Sequence, residues 1–199
     1  MRNRLVILTK APRAGAVKTR LGAGVGYGRA TAIFRSLLQR TIAEAKKGDW
    51  QTSLAVDPTS ALTGFNTCFD PSLPRFAQGK GDLGDRMARI IRNVPPGPVI
   101  MIGADAPAMR ARHLKAAFDC LRGADAVFGP AEDGGYWLIG LARRRAAPDL
   151  FHGVRWSSSF AMQDTIATLP KDYRIMETTR LFDVDEAHDL DRVGPRTSA

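Results

Sequence analysis

Hydrophobic and polar positions alternate with two different periods along this chain. Residues 4–9 (RLVILT) form a nearly all-apolar run of the kind buried on both faces of a parallel sheet. Residues 98–102 (PVIMI) and 136–141 (YWLIGL) read the same way, 52–56 predicts a further strand, and 126–128 (AVF) predicts a strand edge. Elsewhere the spacing is helical. Ile33, Leu37, Leu38, Ile42 and Ala45 share one face of a helix predicted over 29–46. Residues 114–121 are helical, 157–169 predict a helix with a serine N-cap, and 186–192 a last helix. Strand and helix alternate with short connections. That order predicts an α/β fold, an open and mostly parallel sheet with helices on both faces. No linker, repeat or low-complexity segment interrupts it, so one domain is expected over 1–194, with a frayed tail at 195–199.

Composition narrows the classes. At 199 residues, 44% hydrophobic and 25% charged, the chain can bury a core without staples. No apolar run approaches the roughly 20 residues of a membrane helix, and 1–9 is too short for a signal peptide, so no membrane span and a cytoplasmic location are expected. Cys68 and Cys120 lie far apart without a metal-ligand spacing, and the three histidines form no triad or zinc pattern. The net charge of +9 favours an anionic partner. Without a helix-turn-helix, zinc finger or aromatic RNA-binding stretch, a phosphate-bearing small molecule is expected rather than nucleic acid.

The chemistry-bearing motifs follow strands, where open α/β sheets bind ligands. The first is KAPRAGAVKTRL, residues 10–21, in which Lys10, Arg13, Lys18 and Arg20 sit on a loop containing Pro12 and Gly15. It is not a P-loop, since Val17 precedes Lys18, and the following GAGVGYG does not match GxGxxG. Lys18 and Arg20 are expected to converge on phosphate oxygens. The second is Gly103-Ala104-Asp105-Ala106-Pro107, where Asp105 either coordinates a hard cation or caps the next helix. The third is Phe182-Asp183-Val184-Asp185, whose alternating carboxylates suit a cation, although Asp185 alone could cap a helix. Two glycine-rich stretches, 78–84 (QGKGDLG) and 129–136 (GPAEDGGY), are either substrate walls or turns.

The succession K-x-P…G-x-V-K-T-R-L, Q-G-x-G-D-L-G-x-R-M, G-x-D-x-P, G-P-x-x-D-G-G-Y-x-L-I-G-L, V-x-W-S-S and F-D-V-D resembles a bacterial GT-A-fold family. That family comprises glycosyltransferases linked to arsenosugar biosynthesis and was formerly a domain of unknown function. More distantly the chain is similar to 2-phospho-lactate guanylyltransferase and the molybdenum-cofactor guanylyltransferases. The resemblance implies a single-domain, Rossmann-like GT-A (nucleotide-diphospho-sugar transferase) fold and a Mg²⁺- or Mn²⁺-dependent enzyme using a nucleotide sugar, or an NTP, with a small-molecule acceptor. It implies catalytic roles for Lys18, Arg20 and Asp105. Lys10, Gly15, Lys18, Arg20, Gln78, Gly81, Asp82, Leu83 and Gly84 would bind the nucleotide. Asp133, Gly134, Gly135, Tyr136 and Trp156 would face sugar or acceptor, and Asp105, Asp183 and Asp185 would hold the metal. One departure stands out. GT-A glycosyltransferases usually carry D-x-D at the Asp105 position, whereas Ala104 and Ala106 flank a lone aspartate here, as in nucleotidyltransferases.

Overall fold

The computed structural model describes residues 1–64, 68–145 and 149–193; the tail expected at 195–199 lies outside them. Among these residues seven strands form one sheet: β1 Arg4–Lys10, β2 Gln51–Asp57, β3 Arg75–Ala77, β4 Val99–Ile102, β5 Ala126–Pro130, β6 Tyr136–Leu141 and β7 Ile175–Glu177. Their spatial order is β3-β2-β1-β4-β6-β5-β7. The helices are α1 Thr19–Val25, α2 Tyr27–Ala45, α3 Ala61–Gly64, α4 Leu83–Asn93, α5 Ala111–Cys120 and α6 Ala161–Ala167, followed by a 3-10 helix at Ala187–Arg192.

The apolar runs become strands buried on both sides because successive side chains point to opposite faces. Leu5 and Ile7 of β1, Ile100 and Ile102 of β4 and Leu138 of β6 meet α2 and α5 through Phe34, Leu38, Ile42, Leu114 and Phe118. Val6, Val99, Met101, Phe128, Ile139 and Leu141 face the other way, onto Met87, Ile90 and Ile91 of α4 and Ala161 of α6. This is the α/β sheet, covered by helices on both faces, that the alternation predicts. A third, smaller cluster joins Leu21 of α1, Ala30, Ile33 and Leu37 of α2, and Val184.

Four features depart from the sequence reading. β6 runs antiparallel to both β4 and β5, which a fully apolar run cannot reveal because pattern carries no direction. The three-residue edge strands β3 and β7 are too short to show a period. The helix expected from Ser157 begins at Ala161, and no side chain caps it at Phe160. Ser158 Oγ is occupied in the preceding turn, donating to the Arg155 carbonyl and accepting from Phe160 N. The last helix is a 3-10 turn capped from within: Asp189 accepts from the backbone N–H groups of Asp185 and Glu186 at 2.9 and 2.8 Å. Asp185 is therefore not the cap.

β1–β4, β5 and β7 all point the same way, so their carboxyl ends, together with the start of β6, gather at one edge of the sheet. Far from that edge, β6 passes Ile100 and Val127 at Gly140, where a Cβ would come within 2.7 Å of Val127 and 2.9 Å of Ile100. Gly140→Ala is expected to destabilise the fold by about 1–3 kcal/mol through overpacking, read as a lower urea midpoint.

Candidate active site

The first basic loop leaves β1 at the carboxyl edge and reaches Lys18, whose backbone is left-handed (φ 47°, ψ 51°), an unfavourable place for a side chain with a Cβ. From there Lys18 points inward. Its Nζ donates to Asp105 Oδ2 at 2.8 Å and Asp185 Oδ1 at 2.7 Å. The Lys18 side chain is only 7% exposed, against 32% and 46% for the two aspartates. Burial alone would depress the ammonium, but the charges and hydrogen bonds of Asp105 and Asp185 more than reverse this and raise its pKa.

Asp105 arrives from the loop after β4. Gly103 makes its orientation possible, since a Cβ there would stand 2.6 Å from Asp105 Oδ1. Asp183 and Asp185 arrive on the C-terminal segment. Val184 between them is fully buried against α1 and α2, and its N–H donates to the Asp105 carbonyl at 3.2 Å. Alternation along extended backbone then turns both aspartates the other way. Asp183 Oδ1 is sealed from solvent and has no hydrogen-bond partner among the described residues. Burial, then the Asp105 charge, pushes the Asp183 carboxyl well above its ordinary value; Lys18 opposes the shift, while Asp185 and Asp133 add to it.

The cation among these carboxylates is thus a lysine. The sequence reading put a divalent ion among Asp105, Asp183 and Asp185 and placed Lys18 on phosphate. Among the described residues no group of three or more Asp, Glu, His or Cys side chains is arranged to hold a metal ion. Lys18 stands between Asp105 and Asp185 instead. Arg20 and Lys10 are exposed, Arg20 on the first turn of α1 and Lys10 at the end of β1. Gly15 lies in the loop between them with φ +78°.

The 78–84 turn is built for rigidity. Gln78 is buried, and its Nε2 donates to the carbonyls of Thr9 and Ala55 at 3.0 and 2.9 Å, tying the ends of β1 and β2 together. Its amide hydrogens are therefore committed to backbone rather than to a base. Asp82 is the N-cap of α4, accepting from Asp85 N at 2.9 Å in a capping box. Gly81 stands beside the Asp85 side chain, Gly84 packs under Phe151 and Trp156, and Leu83 presents an exposed apolar side chain. Sequence reasoning missed what holds this turn. Arg89 donates to the carbonyls of Gln78 and Lys80, and Arg86 to Gly81 while pairing with Asp57 at 3.1 Å. The visible signal was their i, i+3 spacing on one helix face.

The 129–136 stretch divides its labour. Gly134 (φ +87°) passes so close to Ser159 that a Cβ would sit 2.2 Å from its carbonyl oxygen. Asp133 is exposed and accepts from Gly135 N at 2.9 Å. The Tyr136 hydroxyl meets Thr165 Oγ1 at 3.3 Å and its ring stands edge-on to Phe128. Trp156 leans on Phe151, with its Nε1 buried and unpartnered among the described residues. Of this stretch, Asp133 contributes to the acidic group, through its effect on Asp183.

With this geometry in view, comparisons place the chain. The bacterial family DUF2064, described as an uncharacterized protein conserved in bacteria, matches residues 41–158. The chain belongs to that family. The DUF2064 match includes Gln78, Asp105, Asp133 and Trp156 but neither Lys18 nor the 183–185 segment. No curated protein matches the sequence. Among solved structures, a provisionally assigned nucleotide-diphospho-sugar transferase from Desulfovibrio desulfuricans G20 superposes with a TM-score of 0.87 at 27% identity, over 97% of this chain and 86% of that one. Two others share the fold. Rv0371c from Mycobacterium tuberculosis H37Rv, in complex with manganese, has a TM-score of 0.54 at 15% identity, covering 97% and 98% of the two chains. The inositol-1-phosphate CTP transferase of T. maritima has 0.62 at 12%, covering 95% and 91%.

The Asp183 environment has a measurable sign. A carboxyl whose folded pKa lies above its ordinary 3.8 stabilises the fold only below that value, and the contribution is lost as pH rises toward the raised one. Asp183→Asn keeps the neutral shape at every pH. In metal-free buffer it should melt above wild type at pH 8, and the gap should close toward pH 4 in scanning calorimetry.

Proposed function

We propose that this protein is a divalent-cation-dependent transferase that takes a nucleotide-diphospho-sugar as donor and passes the sugar to a small acceptor. One observation carries the reading. Asp105 and Asp185, from loops far apart in sequence, meet around one positive charge at the carboxyl edge, and Asp183, two residues before Asp185, keeps a sealed Oδ1 with no partner among the described residues. With Lys18 on two of them these carboxylates are not arranged to hold a metal ion; with its ammonium withdrawn, hard carboxylate oxygens, one of them an orphan, would suit Mg²⁺ or Mn²⁺. Such an ion, when bound, offsets the negative charge that grows on a leaving phosphate.

The chain's own groups supply the rest. Lys18, on its four-carbon stem, can exchange a carboxylate for a phosphate oxygen. Arg20 and Lys10, exposed nearby along the chain, offer a planar fork and a point charge to the remaining phosphates. Gln78, Arg86 and Arg89 hold the 78–84 turn rigid, so that its backbone forms a fixed wall for the nucleoside. The charged groups gathered at this edge suit direct displacement, with positioning and electrostatics providing the rate. The Desulfovibrio likeness, spanning nearly the whole chain, supports the nucleotide-sugar donor.

A second reading is nucleotidyl transfer: an NTP joined to a phosphorylated metabolite with release of pyrophosphate. It is favoured by the lone Asp105, whose neighbours Ala104 and Ala106 are buried and offer no second carboxylate. A thermal-shift panel with Mn²⁺ separates the two, since at equal concentration the tighter ligand stabilises more. UDP- or GDP-sugars are expected to raise the melting temperature at least as much as the matching triphosphates. A GTP or CTP shift with none from any nucleotide sugar would move the assignment to nucleotidyl transfer. In the same panel Asp105→Asn should keep its fold and lose the Mn²⁺-dependent part of the shift. An undiminished Mn²⁺ effect would make Asp105 structural.

A further inference from the structure

Lys18 has one side chain and two kinds of anion within its chemistry, carboxylate and phosphate. In the structure its ammonium lies against Asp105 and Asp185 at 2.8 and 2.7 Å, nearly shut off from water. Asp183, beside them, presents a sealed oxygen with no donor among the described residues. A divalent ion takes carboxylate oxygens at roughly 2.0–2.6 Å. It cannot hold these oxygens while an ammonium remains on them, because two like charges would then stand a few ångströms apart in a poorly solvated place. Lys18 must leave for the ion to enter, and on leaving it needs another anion.

We propose that Lys18 is an internal counter-ion which the divalent cation displaces, and that the ligand's phosphate receives the displaced ammonium, so that metal and phosphate bind cooperatively through this one side chain. The inference rests on the metal site proposed above and adds a regulation of it. The protein without ligand resists metal because its own cation is in place. Phosphate alone gains little from Lys18, because the ammonium is held by two carboxylates. Together, each ligand supplies what the other's arrival removes. Linkage makes the effect reciprocal: the factor by which phosphate tightens metal equals the factor by which metal tightens phosphate. The left-handed backbone at Lys18 fits this role, since it aims the side chain into the acidic group from the end of a loop rather than from the middle of a helix. The four-carbon stem allows the ammonium to swing without moving α1.

The test uses the full chain and Mn²⁺, with free ion followed by its electron paramagnetic resonance signal, in the absence and presence of inorganic phosphate. Wild type should bind Mn²⁺ weakly alone and about tenfold more tightly with phosphate, within the usual range of coupling between sites. Lys18→Met, similar in length and uncharged, should bind Mn²⁺ about tenfold more tightly than wild type alone and gain nothing from phosphate. If the variant and wild type bind Mn²⁺ equally, with the same phosphate effect, the counter-ion role is wrong while the metal site stands. If neither binds Mn²⁺ under any condition, the metal site falls and the coupling with it.

A second measurement needs no variant, in case Lys18→Met folds poorly. Acetylation of wild-type Lys18, quantified by mass spectrometry against exposed Lys171, should rise when Mn²⁺ is added and fall again with phosphate. Labelling that ignores Mn²⁺ would overturn the proposal.

Discussion

One ammonium held between two carboxylates organises this molecule's functional edge. Lys18 comes from the first loop, Asp105 from the middle of the chain and Asp185 from its last described segment, yet all three meet within hydrogen-bond distance. A charged group this deeply placed is tolerable only with partners in position, and those partners are equally crowded without it. Each position is therefore constrained by the other two. The sheet makes the meeting possible: six of its seven strands end on the same side, bringing loops distant in sequence to a single line.

The acidic group also depends on side chains that never enter it. Val184 buries itself between α1 and α2 and so orients the aspartates on either side. Asp189 satisfies the backbone of the terminal turn, which frees Asp185 from capping. Arg192 pairs with Glu132 at 2.9 Å and stacks over Phe182 at 4.1 Å, fastening the C-terminal segment to the loop that carries Asp133. Across the edge, Arg86 and Arg89 do the same for the 78–84 turn. The two sides are both locked by arginines that bond backbone or carboxylate, which accounts for part of the basic excess without any appeal to an anionic ligand.

Much of this was legible in the sequence. The apolar runs mark strands and the 3.6-residue period marks α2 and α5; Lys18 and Asp105 stand out as charge following buried strands, Asp183 and Asp185 as alternating carboxylates before a helix. Their mutual arrangement was not. A basic loop reads as exposed, and nothing local to Lys18 shows that its partners lie 87 and 167 residues away. Gln78 and Asp82 show the opposite limit. Both looked like ligand contacts because they are polar residues in a glycine-rich turn, but their polar atoms are committed to the ends of β1 and β2 and to the first turn of α4. Polar residues that satisfy backbone and polar residues that await a ligand share one signature until the acceptors are counted.

The span from Lys18 to Asp185 bears on how the molecule assembles. Contacts so far apart in sequence add loop-closure cost before they return any stabilisation, whereas β1 against β2 and the β5–β6 hairpin close over shorter distances. Loop closure alone would place the gathering of the acidic group late in folding, after the sheet has aligned its strand ends. An intermediate with the sheet formed and the last segment undocked would have a nearly complete core, three unneutralised aspartates and a loose lysine. Such a species would be native by its helical and strand content yet unable to gather the charges on which ligand binding depends.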